Sequence, residues 1–177
     1  MVSTMQQFAT ENIVDCFLNR GNKCSGLDFE FDGEYWFDRY RSWIKEEYPA
    51  CHGKRVDLFV NAIYKDGKKE IEESYAFEIK SCKADLNSGC GLNFVGKRNF
   101  IVVPEFGWDK SFAEAYHKLA EIDRGDVGIL TIDKRGTICC WRSSGLWENK
   151  VKGYGFTNVI GRYLTRGFGD VYEGIII

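Results

Sequence analysis

Two strand-like segments joined by a turn signal constrain the fold of this chain more than any other feature. Residues 55–64 and 72–81 each have a strand pattern, and residues 65–68, Lys-Asp-Gly-Lys, are typical of a hairpin turn. Asp57 lies in the first segment, and Glu78 and Lys80 lie in the second. Because side chains alternate along a strand, Glu78 and Lys80 project from the same face. Closing the hairpin brings Asp57 beside them, so the sequence predicts a cluster of two carboxylates and one lysine.

This combination is typical of a divalent-metal site that cleaves phosphodiester bonds. Carboxylate oxygens are the ligands that hard cations prefer, and a lysine can orient the attacking water or stabilise charge on a phosphate. We therefore expect Asp57 and Glu78 to bind Mg²⁺ or Mn²⁺ and Lys80 to act on the water. The alternative from the residues alone is an ion-pair cluster of two strand carboxylates with a lysine and no catalytic role.

The order Asp-(x)n-Glu-x-Lys resembles the signature of the PD-(D/E)xK nuclease superfamily. Residues 77–86, Phe-Glu-Ile-Lys-Ser-Cys-Lys-Ala-Asp-Leu, and residues 91–104 also resemble consecutive segments of MmcB-like DNA repair proteins. The resemblance spans about residues 52–133 and departs at Leu92, where relatives have a polar residue, often histidine. It implies an α/β, restriction-endonuclease-like core with a mixed central sheet flanked by helices. It also implies that the carbonyl of Ile79 completes the cation site.

The superfamily often takes a fourth acidic residue from the helix that precedes the first strand. Residues about 34–48 carry an apolar stripe at helical spacing, which predicts a second helix that ends at Pro49. We choose Glu34 as the fourth acidic residue, because it begins this helix. The other carboxylates available in the N-terminal part are Glu11, Glu46 and Glu47.

The charge distribution favours DNA as the partner. The net charge of the whole chain is −2, but residues 51–100 carry nine Lys and Arg against seven Asp and Glu, a net of +2 around the predicted site. Basic side chains at such a position can bind phosphates. The predicted DNA-binding residues are Lys54, Arg55, Lys83, Lys97 and Arg98. Two alternatives remain open: a DNA-binding module on the same fold that does not cut, and a structural or partner-binding protein.

The remaining patterns fit one α/β domain that spans residues 1–177, with its core at about 34–142. A first helix is predicted at about 5–19 and a short strand or extended segment at 27–31. After the hairpin, the predicted elements are a short helix near 83–87, a glycine-rich loop, a buried strand at 99–103, a helix at 111–122 and strands at 127–132 and 137–142. A further helix is predicted at 156–164.

Composition excludes some classes of protein. With 44% hydrophobic residues, the 177-residue chain can bury a sizeable core, and it has no run apolar enough to span a bilayer. The N-terminus lacks the pattern of a secretory signal, and the seven cysteines include no Cys-x-x-Cys pair. We therefore expect a cytoplasmic protein with reduced thiols and no membrane partner. The five tryptophans are expected in the core or at its rim, with one or two able to stack on unpaired bases. The oligomeric state is left open.

Overall fold

The computed structural model describes residues 4–19, 36–37, 41–50, 53–66 and 68–145. Within these ranges the chain forms three helices and seven strands. The helices are α1 (Thr4–Asn19), α2 (Lys83–Asn87) and α3 (Ser111–Glu121). The strands are β1 (Trp36–Phe37), β2 (Trp43–Pro49), β3 (Arg55–Asp66), β4 (Lys69–Ile79), β5 (Arg98–Pro104), β6 (Gly128–Ile132) and β7 (Ile138–Arg142). The predicted first helix and all the elements predicted from residue 55 to residue 142 are confirmed.

The strands form one mixed sheet. β1 and β2 both pair antiparallel with one side of β3, and the other side of β3 pairs antiparallel with β4. β4, β5 and β6 are parallel, and β7 closes the opposite edge antiparallel to β6. Parallel neighbours need a crossover connection, and α2 and α3 lie in the two crossovers that this order requires. The fold class predicted above, α/β with a mixed central sheet flanked by helices, is confirmed.

Apolar side chains cover both faces of the sheet. On one face, which we call the α1 face, Ile13 and Phe17 of α1 pack in one cluster with Phe77 and Leu130. On the opposite face, the α3 face, Leu86 and Leu119 of the other two helices pack with strand residues that include Ile101, Val103 and Ile129. Strand residues alternate between the two faces, so the register of each strand decides which side chains can meet beneath α2 and α3.

The helix predicted at residues 34–48 is wrong, because residues 43–49 form β2 and residues 36–37 form β1. Trp36, Tyr40 and Ile44 recur every four residues, a spacing that suits one face of a helix and equally one face of a strand. Residues 43–49 form a strand and not a helix because they pair with the edge of β3 that β4 leaves open. β2 is further stabilised by aromatic packing, since the ring of Tyr48 stacks on Phe59 at 4.3 Å between centroids.

Several predictions of the N-terminal and C-terminal parts lie outside the described residues. These are the extended segment at 27–31, the helix at 156–164 and the carboxylate of Glu34.

The expectation of reduced thiols holds for four described cysteines and is wrong for a fifth. Cys82, Cys90, Cys139 and Cys140 are not in disulfides, whereas Cys16 of α1 is disulfide-bonded. Pairing of cysteines depends on which of them the fold brings close, and sequence spacing does not determine that. No helix in the described part of the chain combines the length and the apolar character needed to cross a membrane.

Candidate active site

The structure brings Asp57, Glu78 and Lys80 together at one end of the β3–β4 hairpin. Leu58 pairs with Phe77 in the antiparallel register, which places Asp57 next to Glu78. Glu78 in turn is in register with Ile101 of β5, so it lies on the α3 face. Lys80 follows two residues later and therefore lies on the same face. The predicted convergence of these three side chains is thus present in the fold, while their chemical roles stay predictions.

Asp57 is half-buried and held from two sides. Its Oδ2 accepts a hydrogen bond of 2.7 Å from the backbone N–H of Ile79, and its Oδ1 accepts one of 3.3 Å from Nε2 of Gln6. Burial raises the pKa of the Asp57 carboxyl above its ordinary value. Gln6 belongs to α1 and was not predicted as a site residue, because nothing in its sequence neighbourhood distinguishes it from other helix surface residues.

Glu78 is fully buried, with no exposed side-chain surface. Its Oε1 accepts a hydrogen bond of 2.9 Å from the backbone N–H of Asn93, whereas its Oε2 is buried with no hydrogen-bond donor among the described residues. Burial and then the negative charge of Asp57 raise the pKa of Glu78 to about 9. A buried carboxylate oxygen without a donor is costly. With a pKa of about 9, the Glu78 carboxyl beside Asp57 keeps a proton at neutral pH unless a cation takes the proton's place.

Lys80 is also buried, with 3% of its surface exposed. Its Nζ donates a hydrogen bond of 2.9 Å to the carbonyl of Cys90 and lies 3.7 Å from Oδ1 of Asp85. The other carboxylate oxygen of Asp85 accepts a hydrogen bond of 3.1 Å from the backbone N–H of Ser81. Asp85 stands in the first turn of α2. It therefore fixes the turn that follows Lys80 and places a negative charge near the buried ammonium.

The glycine-rich loop after α2 closes over the site. Gly91 has a φ of +66°, and a Cβ at this position would lie 2.9 Å from Nζ of Lys80 and 3.1 Å from Oε2 of Glu78. Both the backbone conformation and the close approach require glycine here. The sequence correctly predicts a loop at this point, but only the fold shows that Gly91 forms one wall of the site.

A further carboxylate, that of Glu47, reaches the site from β2. Nε2 of Gln6 donates to Oε1 of Glu47 at 2.9 Å as well as to Asp57, and the charge of Glu47 contributes to the raised pKa of Asp57. Glu47 has a φ of 48°, which is uncommon for a residue with a Cβ. Among the described residues no group of three or more His, Cys, Asp or Glu side chains has the arrangement of a metal site. Asp57 and Glu78 lie next to each other, and Glu47 is joined to Asp57 through Gln6.

Three of the predicted DNA-binding residues lie near this site. Lys54 and Arg55 are exposed at the beginning of β3, two to three residues before Asp57. Arg55 lies 3.4 Å from Glu47 with 68% of its side chain exposed. Lys83 of α2 is 64% exposed and pairs with Glu114 of α3 at 2.8 Å. Such exposed cations remain available to phosphates.

Lys97 and Arg98 have a different environment. They pair with the two oxygens of Glu73 at 2.9 Å and 3.0 Å, and the Glu73 side chain is only 8% exposed. They lie where β5 begins, about three residues or roughly 10 Å along the strand from the row of Glu78 and Ile101. Their DNA-binding role stays a prediction, and the structure gives them a second task, which is to neutralise a buried carboxylate.

No protein-family model matches this chain, and the comparison with curated proteins found no match. Among solved structures, the chain is weakly similar to Pyrococcus furiosus SfsA in complex with Ca²⁺. The alignment has 15% identity and a TM-score of 0.23, and it covers 60% of this chain and 56% of the SfsA chain. A likeness of this size shows no family, so the functional argument depends on the geometry of the site.

The raised pKa of Glu78 predicts how stability depends on pH when divalent cations are removed with a chelator. Between about pH 4.5 and about pH 9 the folded protein keeps a proton on Glu78 that the unfolded chain has lost, so the free energy of unfolding falls as pH rises through this range. The raised pKa of Asp57 acts in the same direction. Glu78→Gln keeps a neutral group of similar shape and should flatten the pH dependence.

The measurement is urea unfolding at several pH values within this range for the wild type and for Glu78→Gln. Glu121→Gln, which changes an exposed carboxylate of α3, is the matched control and should follow the wild type. Equal pH slopes in the wild type and in Glu78→Gln would contradict the assignment of a buried proton to Glu78.

Proposed function

We propose that this protein is a metal-dependent deoxyribonuclease that hydrolyses phosphodiester bonds in DNA. The observation that supports it is the buried Oε2 of Glu78, which has no donor in the described chain and lies beside Asp57 and Lys80. A role in DNA repair, which the resemblance to MmcB-like proteins implies, or in the processing of phage or mobile-element DNA, belongs to the same proposal.

The residues present suit a hard divalent cation. Asp57 and Glu78 would supply carboxylate oxygens to Mg²⁺ or Mn²⁺, and the carbonyl of Ile79 would be a further oxygen ligand. A bound cation of this kind supplies Lewis-acid chemistry and lowers the pKa of a coordinated water. The donor-less oxygen of Glu78 is the feature that most favours cation binding, because a cation satisfies it without a proton.

The chain's own residues account for the other requirements of hydrolysis. The ammonium of Lys80, held by the Cys90 carbonyl and by Asp85, would orient the attacking water and stabilise negative charge on the phosphate. The backbone of Gly91 lies directly against the ammonium of Lys80 and the Oε2 of Glu78. Lys54 and Arg55 stand at the exposed side of Asp57, where they would bind the phosphates that flank the cleaved bond.

A second candidate function is a DNA-binding module that does not cut. It is favoured by one observation, namely that Nζ of Lys80 already has a hydrogen bond to the Cys90 carbonyl and a nearby carboxylate in Asp85. In that case Lys80 would serve only to neutralise the buried carboxylates. A structural or partner-binding protein is the third candidate, and it requires that neither cations nor DNA bind.

The first prediction concerns cation binding. Asp57→Asn and Glu78→Gln should each abolish Mn²⁺ binding while the protein stays folded, because each change removes an anionic oxygen ligand. Wild-type binding at neutral pH should also release protons, since the cation displaces the proton of Glu78. Calorimetric titration in two buffers of different ionisation enthalpy measures the affinity and the proton release together. Glu121→Gln is the control, and unchanged affinity in both site variants would refute the metal site.

The second prediction separates an active nuclease from a silent one. Lys80→Ala should lower the cleavage rate by about 10²- to 10⁴-fold while Mn²⁺ and DNA still bind, because the lysine acts on the water and the transition state. Cleavage of labelled single-stranded and duplex DNA, measured with Mg²⁺ and with Mn²⁺ beside a melting curve, tests this. If the wild type cuts neither substrate and Lys80→Ala melts far below it, the silent module is the better description.

The third prediction uses the salt dependence of DNA binding. Removing Lys54 and Arg55 together should reduce the slope of log affinity against log salt by about two units, because about 0.9 counterion is released per phosphate contact. Lys54→Gln alone should reduce the slope by about one unit. Lys97→Gln, which removes the same charge, is its matched control and should change the slope less, since Lys97 is paired with Glu73. Equal slopes in the wild type and in the double variant would exclude Lys54 and Arg55 as phosphate contacts.

A further inference from the structure

A cavity of about 360 Å³ opens beside the N-terminal end of α3, apart from the candidate active site. Its lining combines aromatic and polar side chains, among them Glu105, Trp108, Phe112, Thr131 and Trp141. Trp141 is 60% exposed and Phe112 is 37% exposed, and their ring centroids are 5.4 Å apart. Packing of the hydrophobic core does not explain why two large aromatic rings are exposed side by side at the mouth of a cavity.

A β-bulge in the edge strand places Trp141 at this cavity. The register between β6 and β7 shifts between Ile129 and Leu130, which pair with Arg142 and Cys140 and leave Trp141 between them. Such a bulge redirects a side chain. The indole Nε1 then donates a hydrogen bond of 2.8 Å to Oγ1 of Thr131, whose hydroxyl is buried and bonds to Glu105. The ring is therefore fixed in position while its face stays open to solvent.

The strand register relates this cavity to the candidate active site. Ile79 pairs with Val102, so Lys80 lies level with Val103, and Val103 pairs with Thr131. Lys80 and Thr131 consequently lie in one cross-strand row, on the same face of the sheet, two strand spacings or roughly 10 Å apart. Three stacked nucleotides, at about 3.4 Å each, cover the same distance.

We propose that this cavity binds one unpaired nucleobase of the DNA strand that is cleaved at the candidate active site. The inference rests on the proposed function and adds a substrate feature to it, namely a single-stranded or unpaired nucleotide two to three positions from the cleaved bond. The fixed face of Trp141 and the ring of Phe112 form the stacking surface, which accepts any base because every base has a π-face.

The charges at the cavity select the base over the phosphate. Glu105 and Asp109 contribute two carboxylates to the lining against one ammonium from Lys110. This excess of negative charge repels a phosphate, so the neutral base enters and the backbone stays outside. A cationic side chain of a partner protein also suits aromatic rings beside carboxylates. The cavity lies on the same face of the sheet as Lys80, which favours a nucleobase over a cationic side chain. The experiment below distinguishes these two ligands.

The test measures binding of a short labelled single-stranded oligonucleotide by fluorescence anisotropy, in the full chain carrying Glu78→Gln so that no cleavage occurs. In this background, Trp141→Ala should weaken binding about 5- to 150-fold, the range of one base stacked on one aromatic ring. Phe112→Ala should also weaken it, and Trp141→Phe should recover most of the loss. A blunt duplex of the same sequence should bind equally well with and without Trp141.

Tyr116→Ala is the matched control. Tyr116 is an aromatic residue of the same helix, 46% exposed, that does not line the cavity but lies 6.3 Å from the ring of Phe112. Its removal should weaken binding far less than the removal of Trp141. A melting curve for each variant identifies any that fails to fold, and Phe112→Ala then carries the test in place of Trp141→Ala.

Three results would overturn the inference. If the Glu78→Gln parent binds the oligonucleotide and both folded aromatic variants bind it equally well, the base site is refuted while the proposed nuclease function stands. If neither the wild type nor the Glu78→Gln parent binds DNA at low salt, both are refuted. If an oligoarginine peptide binds saturably, loses binding with Trp141→Ala, and DNA affinity is unaffected, the cavity is a site for a cationic protein partner.

Discussion

The burial of Glu78 is the constraint on which the rest of the site depends. A carboxyl group with no exposed surface, placed next to a second carboxylate, can only be accommodated if its negative charge is removed or compensated. The fold provides one donor to it, the backbone N–H of Asn93, and leaves its second oxygen without one among the described residues. The result is a group whose pKa is raised far above its ordinary value. The proposed nuclease function requires a cation to take the place of the proton on this group.

The neighbours of Glu78 form a shell that holds this strained arrangement. Lys80 is itself buried, and its ammonium is kept in place by the Cys90 carbonyl and by Asp85. A Cβ at Gly91 would lie 2.9 Å from Nζ of Lys80 and 3.1 Å from Oε2 of Glu78, so a side chain there would require these groups to shift. The Cys90 carbonyl and Asp85 limit the free-energy cost of burying Lys80 and also fix the direction of its side chain. The stability of this site and the position of its ammonium therefore depend on the same groups.

Basic residues divide between two tasks in the structure. Lys97 and Arg98 neutralise Glu73 at the start of β5, whereas Lys54, Arg55 and Lys83 remain largely exposed at the end of the sheet that holds the site. The α3 face thus presents the buried carboxyl pair, exposed cations beside it and an aromatic cavity farther along the same row.

The sequence by itself determined the β3–β4 hairpin, the positions of the strands after it and the meeting of Asp57 with Glu78 and Lys80. These features follow from local alternation, from a turn signal and from side-chain periodicity, which act over a few residues. Only the tertiary structure decided that residues 43–49 pair as a strand with β3, that Glu47 and Gln6 approach Asp57, and that Gly91 closes the site. Each of these depends on contacts between residues far apart in the chain. A spacing of four residues fits both a helix and a strand, and no local pattern indicates which surfaces will meet.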